Sequence, residues 1–329
     1  MDSLVLSKIK ERAELAIAAR TFPGCCIGVL QAGERHILPF GKLSYEWPSV
    51  VRNNSIYDIA SITKSIPVAS LALHYIAKGR LALGINVKTY LPGLQNHYGA
   101  TIEDLLRYRV KGPQMSKLPH TTFEEIRTAV FERGFDGPPG ASEYTNLPAY
   151  LLGIILEKVG GRILPALAND TFFGPLQMHD TSFFVHDAKR VAPTEVLGIG
   201  RVKRVIRGIV HDESARVFAE ARRAVGHAGL FSTAPDLLTF LEALLSGKFP
   251  AVLEGAEQGL GWALDEPWRH GRYDAKLFSK TGFTGTLVAL DRRKDTALVI
   301  LSNRTYPERP RDNSAINSFR QDITDIVFG

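Results

Sequence analysis

The residues able to build a sheet are divided between the two ends of this chain, and that division limits the folds open to it. Near the start, Cys26 to Leu30 and His36 to Phe40 are β-forming runs around a Gln31-Ala32-Gly33-Glu34 turn, the pattern of a hairpin. Near the end, Leu277 to Ser279, Thr286 to Asp291 and Ala297 to Ser302 are three more such runs, with a charged turn from Asp291 to Asp295. From Leu81 to about Val225 the chain reads mainly as helices and loops. Thr101 opens one helix with a loose capping box to Asp104. Phe123 to Arg133 is another helix, and Leu147 to Val159 is a strongly apolar one that Gly160-Gly161 ends. Ser3 to Arg20, Ser232 to Leu245 and Ser314 to Phe328 complete the helical segments. The expected fold is α/β: an antiparallel sheet flanked by helices, built from both termini, with a mainly α-helical domain inserted. Its boundaries are 1–65 and 225–329 for the sheet domain and 66–224 for the helical domain, with a groove between them.

Composition narrows the function classes. With 45% hydrophobic and 22% charged residues the chain has the balance of an ordinary globular protein. No apolar run approaches the ~18 residues a membrane span needs. Met1 to Arg20 lacks the apolar core of a secretory signal, so a cytoplasmic location is expected, with a mature secreted form as the alternative. The two cysteines, Cys25 and Cys26, are neighbours and point to opposite faces of a strand, which implies neither a disulfide framework nor a cysteine metal site. Net charge is +6, with basic residues gathered at Arg201, Lys203, Arg204, Arg207, Arg222 and Arg223. That cluster carries no nucleic-acid-binding signature and reads as a solvated, edge-like ribbon, or as a positive rim that attracts a carboxylate-bearing substrate. Nucleic acid is not an expected partner.

Three short motifs carry chemistry. Ser61 sits where an extended run, Ile56 to Ile59, gives way to a helical one, Ile62 to Lys78. Three residues on, Lys64 shares its helix face. A serine hydroxyl is a poor nucleophile until a base takes its proton, and a desolvated lysine near other cations can be that base. Ser7 and Lys10 have the same spacing, so the pair alone decides nothing. Pro67 lacks an N–H and predicts an irregular first turn. Tyr144-Thr145-Asn146 follows a Pro-Pro-Gly loop and is the one Tyr-x-Asn in the sequence; Lys280-Thr281-Gly282 ends a strand and is the one Lys-Thr-Gly. Other candidates are weaker. His211-Asp212-Glu213 has no spacing that supports a metal, and no metal or cofactor is expected. There is no Gly-x-Ser-x-Gly, so His227 reads as structural rather than as a general base.

The order Ser-x-x-Lys, Tyr-x-Asn, Lys-Thr-Gly resembles the class C β-lactamase family, which also contains penicillin-binding D-Ala-D-Ala peptidases and β-lactamase-fold esterases. The resemblance runs over nearly the whole chain, including Gly79-Arg80-Leu81, Gly174-Pro175-Leu176-Gln177-Met178, Arg207 to Glu213, Gly226 to Thr233 and Leu301 to Arg304. Two features depart from relatives. Lys280-Thr281-Gly282 stands where many of the nearest have His-Thr-Gly, which leans towards the β-lactamase form. Tyr108-Arg109-Val110-Lys111-Gly112 stands where His-Thr-Ser-Gly is usual, beside the cleft. The resemblance implies that Ser61 attacks a carbonyl and forms an acyl-enzyme, with Lys64 and Tyr144 sharing the proton traffic; either can be the base, Tyr144 only if Lys64 and Lys280 depress its pKa. It implies that Asn146 orients Lys64 and bonds a substrate amide, and that Lys280 attracts a substrate carboxylate. Thr281, Gly282 and Phe283 would line the substrate, with the N–H groups of Ser61 and Phe283 as oxyanion hole. Gln114 would reach into the cleft, and Arg304, Arg309 and Asn313 are candidate carboxylate ligands. The implied substrates are a β-lactam first, with an ester or a D-aminoacyl peptide as alternatives. A penicillin sensor or a scaffold without turnover is the non-enzymatic rival.

Overall fold

The computed structural model describes residues 1–118, 122–199, 202–269 and 277–329. Among them are nine strands: β1 (Gly24–Gln31), β2 (Glu34–Gly41), β3 (Tyr57–Asp58), β4 (Glu195–Ile199), β5 (Val202–Ile206), β6 (Phe231–Ser232), β7 (Leu277–Thr281), β8 (Leu287–Asp291) and β9 (Thr296–Ser302). The main sheet is antiparallel throughout, in the order β2-β1-β9-β8-β7. The hairpin at the start of the chain is therefore zipped onto the last strand, with Cys26 opposite Leu301 and Ile27 opposite Ile300. Ala32 and Gly33 both have positive φ, 50° and 79°, the backbone a two-residue hairpin turn of right-handed twist demands.

Both faces of the sheet are covered, and alternation along β1 shows how. Cys25, Ile27 and Val29 face one apolar cluster with Ile9 and Ala13 of the helix Ser3–Ala18 and Phe319 and Ile323 of the helix Ser314–Phe328. Phe22 meets Phe319 edge to face at 4.9 Å. Cys26 and Leu30 face the other, larger cluster, which takes in Leu237 and Leu241 of the helix Ala234–Leu245 and runs on into the helical half of the molecule. Gly28, on that face, packs closely under Leu238: an added Cβ would lie 3.0 Å from its Cδ1, so the leucine would have to shift. A register slip of one residue would exchange the two clusters, so pairing is specified by burial on both faces. Both cysteines are free and buried, on opposite faces as their adjacency requires.

Several helix bounds follow from local capping. Phe123–Arg133 starts at Thr122, whose side chain accepts from the Glu125 N–H while Glu125 caps in return. Thr101 and Asp104 form the same box ahead of Ile102–Leu106. Thr233 caps Ala234–Leu245, and Gly161, at φ 69°, stops Leu147–Gly160. No described helix is long and apolar enough to cross a membrane.

The stretch expected to be mainly helices and loops also holds strand. β4 and β5 form a separate two-stranded ribbon, with Glu195 opposite Ile206. Lys203 and Arg204 lie on it and are exposed; Arg201 lies outside the described residues. Alternating Val, Ile, Lys and Arg is a half-solvated strand pattern, in line with the edge-like ribbon expected of the basic cluster. The short helices Glu213–Glu220 and Pro250–Glu257 were not anticipated. The segment after Ser61 is irregular as Pro67 predicts. Ala60–Lys64 is a tight 3-10 turn, Ser65–Ala69 is wide with Ile66 off helical geometry (φ −114°, ψ 107°), and regular helix begins only at Ser70.

Candidate active site

Ser61 is held at the joint between sheet and helices by contacts that start with Asp58. The buried Asp58 carboxylate accepts from the Ala60 N–H at 2.8 Å and from the His211 N–H at 2.8 Å. Burial pushes its pKa up to about 6, opposed by those two donors. Ala60 has φ 48°, a left-handed conformation that costs a non-glycine residue energy, and the Asp58 bond helps to hold it. Thr63 Oγ1 donates to the Ala60 carbonyl at 2.7 Å and accepts from the Leu230 N–H at 3.2 Å. The turn that presents Ser61 is thereby fastened to β3 and to the chain entering β6.

The far side of the groove is fastened to the same place. Thr284 Oγ1 donates to the Asp58 carbonyl at 2.7 Å, and Thr286 Oγ1 to the Ile59 carbonyl at 3.2 Å. Gly282 lies so close that a Cβ there would fall 2.4 Å from the Ile59 oxygen and 2.1 Å from Thr286 Oγ1. No other residue fits, and this explains the glycine of Lys280-Thr281-Gly282. Among the described residues no backbone carbonyl takes up the Phe283 N–H. The Phe283 ring is 45% exposed and stacks on His211 at 5.7 Å.

Lys64 is 1% exposed, and its Nζ donates to Ser61 Oγ at 2.9 Å and to the His227 carbonyl at 2.6 Å. Burial, then the Lys280 charge, lowers its pKa to about 7, with Asp212 opposing. Burial also lowers Lys280, to about 8, opposed by Glu266. The Lys280 Nζ lies 4.5 Å from the centre of the Tyr144 ring, and Lys64 Nζ lies 5.3 Å from it. Tyr144 is 53% exposed as a residue, yet its hydroxyl end sits among Ser61 and the two lysines. Burial of that end raises the phenol well above its ordinary value; a hydrogen bond with Ser61 opposes this, and the Glu266 and Asp212 charges add to it. The two lysines do not overcome that burial.

Asn146 Nδ2 donates to Asp212 Oδ2 at 3.3 Å, while Lys64 Nζ donates to Ser61 and the His227 carbonyl and not to Asn146, so the side chain that orients Asn146 is a carboxylate. Asp212 in turn accepts from Ser214 Oγ at 2.7 Å and the Ala215 N–H at 2.9 Å, and contacts His227 Nε2 at 3.3 Å. Burial opposes its ionisation, but His227 and these donors hold its carboxyl well below the usual range. His227 is fully buried and serves the site through its backbone carbonyl on Lys64 and its ring on Asp212.

Ser61, Tyr144, Asn146, Lys280, Thr281, Gly282 and Phe283 all line one groove of about 840 Å³. Gln114 does not line it; it is exposed, and Ser116, two residues on, lines the wall instead. Arg304, Arg309 and Asn313 line its rim. Among the lining residues to which the sequence reading gave no role in the groove, three bear directly on its chemistry. Tyr108, at φ 54°, accepts from Lys280 Nζ at 3.4 Å and packs 5.3 Å from the Tyr144 ring; its place in the departing loop was the available signal. Asp212 stood inside a recognised block, but only as a metal candidate. Glu266 had no signal at all. Among the described residues, no group of three or more His, Cys, Asp or Glu side chains is placed to hold a metal ion.

Comparison with known proteins places the chain in a family and a fold. A family model described as Beta-lactamase matches residues 9–321. A putative D-alanyl-D-alanine carboxypeptidase of Salmonella enteritidis is 26% identical over 326 residues, covering 82% of this chain and 74% of that protein. Its counterpart from Salmonella newport aligns with the same identity and coverage. Among solved structures, EstCE1, described as a hydrolase with promiscuous acyltransferase activity, superposes with TM-score 0.77 at 19% identity, over 99% of this chain and 98% of its own. A beta-lactamase/D-alanine carboxypeptidase from Pseudomonas syringae gives TM-score 0.75 at 20% identity, over 98% of this chain and 99% of its own. At such identities these structures speak for the fold alone.

Proposed function

The chain belongs to the beta-lactamase family, and from that premise we propose that it is a serine acyl hydrolase working through an acyl-enzyme on Ser61. The observation that carries this reading is the buried Lys64 amine, 2.9 Å from Ser61 Oγ and held at a pKa of about 7. A lysine with its usual pKa would be an ammonium at neutral pH and no base. Here a large share is neutral, and a neutral amine takes the hydroxyl proton as Ser61 Oγ attacks the carbonyl carbon.

The N–H groups of Ser61 and Phe283 receive the negative charge that develops on the carbonyl oxygen; losing one such donor typically costs about 3 kcal/mol. Tyr144, with its phenol raised, stays protonated and passes a proton to the departing group as the carbon–heteroatom bond breaks, recovering it from Lys64. Water then attacks the acyl-enzyme with its proton going to the same base, and Ser61 leaves as the hydroxyl. The substrates are small acyl compounds: a β-lactam, an ester or a D-aminoacyl peptide. All three present a carbonyl and a leaving heteroatom, and they differ in what lies beyond it. Lys64, not Tyr144, is the base in this account.

Intact protein mass followed over time, with product release measured in the same tube, tests the proposal. Excess p-nitrophenyl acetate and excess benzylpenicillin are the two probes. At least one should give an acyl adduct together with release of many products per protein. An adduct that persists with a single product per protein would mark a sensor, and neither adduct nor release with either probe would contradict the proposal. Tyr144→Phe should lower turnover by about 100-fold while leaving acylation detectable, because proton transfer contributes that order. Wild-type rates in that variant would remove Tyr144 from proton transfer.

A further inference from the structure

The groove holds a carboxylate of its own. Glu266 lines the same wall as Lys280 and Thr281, and Thr281 Oγ1 lies 3.2 Å from both Glu266 Oε1 and Oε2. A substrate carrying a carboxylate beside its leaving group would present that charge to this strand end, where a hydroxyl donor and the Lys280 ammonium are available. Those groups are already engaged. The Lys280 Nζ lies against the Tyr108 hydroxyl and two aromatic rings.

Three arginines of the groove are satisfied in the same way. Arg304 donates to the Phe283 carbonyl at 2.8 Å and to Asn313 Oδ1 at 2.7 Å. Arg309 is paired with Glu195 at 2.8 Å and Glu213 at 2.5 Å. Arg320 donates to the Gly282 and Thr286 carbonyls at 2.8 and 2.9 Å. Each of these cations therefore has a partner within the protein.

We propose that Glu266 is a specificity-determining residue: it fills the place a substrate carboxylate would take and makes the groove selective for acyl compounds with an uncharged leaving side, neutral esters above all. An incoming carboxylate would have to displace Glu266 from Thr281 and lie beside it, two like charges in a partly desolvated site. A neutral ester meets neither cost. The net charge of +6 attracts anions to the protein as a whole, so the rejection is local to this wall. The inference rests on the reading of Ser61 as nucleophile.

The test uses a matched pair, 3-carboxyphenyl acetate and its uncharged methyl ester, 3-(methoxycarbonyl)phenyl acetate. The quantity read is the ratio of their kcat/KM values, in which the fraction of active protein and any loss common to both esters cancel. The wild type should favour the uncharged ester by about tenfold or more, and Glu266→Gln and Glu266→Ala should each shrink that ratio by about tenfold, the order expected from removing one like-charge contact. A wild-type preference for the carboxylated ester, or a ratio that neither variant moves, would overturn the role of Glu266 while leaving Ser61 untouched. No cleavage of either ester by the wild type would overturn both.

Discussion

Ser61→Ala should lower turnover of any good substrate by roughly four to six orders of magnitude, the loss seen when a covalent nucleophile is removed and only binding and oxyanion contacts remain. The fold should survive. The turn that carries Ser61 is held by Asp58 on the Ala60 N–H and by Thr63 on the Ala60 carbonyl, and neither contact uses the serine hydroxyl. Lys64 keeps its other partner, the His227 carbonyl at 2.6 Å, when the hydroxyl goes. Circular dichroism and thermal melting should therefore match the wild type. Residual activity within tenfold of the wild type would remove Ser61 from the mechanism.

Lys64→Met should separate activity from stability. Losing the base should cost about 100-fold to 10,000-fold in turnover. Stability should move the other way. The lysine ionises near its ordinary value in the unfolded chain but at about 7 when folded. Between those values the unfolded state binds the extra proton, so stability falls as pH drops from the unfolded value, and the full cost is felt below about 7. A methionine of similar length has no charge to desolvate, so the variant should melt several degrees higher than the wild type at pH 6, with the gap closing as pH rises. The same titration predicts that wild-type kcat/KM climbs with pH through about 7, as the neutral amine appears. A flat profile there, or a variant that melts lower than the wild type at pH 6, would contradict this account of Lys64.

Much of the fold was legible because it is specified locally. The helix bounds at Phe123–Arg133 and Ser314–Phe328 match the expected ones, and the first is set by its own capping box. The strands at both ends form the antiparallel sheet their β-forming residues suggested, and the hairpin turn needed two positive φ angles that Ala32 and Gly33 supply. What could not be read was of two kinds. β6 is two residues long and exists only because Ser232 is brought from a distant part of the chain against Tyr57, in the expected extended run. The β4–β5 ribbon was foreseen only as the edge-like character of the basic cluster; its strand bounds and the pairing of Glu195 with Ile206 were not legible in a pattern that alternates over five positions.

The site divides along the same line. Ser61 and Lys64 are neighbours in a turn, so their contact follows from spacing alone. Glu266 and Thr281 are joined across the strand end, and nothing in the residues around Glu266 announces that pairing. Asn146 was expected on Lys64 and is found on Asp212, the N-cap of the helix Glu213–Glu220, which the chain brings within 3.3 Å. The balance between Lys64 and Tyr144 was open on sequence because burial decides it: burial disfavours whichever form is charged, lowering the amine and raising the phenol by one cause.

The most direct measurement is the site and pH dependence of labelling by a fluorophosphonate, read by intact mass and then by peptide mass spectrometry. The account predicts one modification per chain, located on Ser61, forming faster as pH rises through about 7 and absent from Ser61→Ala. Label on another residue, such as Ser7 beside Lys10, or stoichiometric labelling of Ser61→Ala, would contradict it.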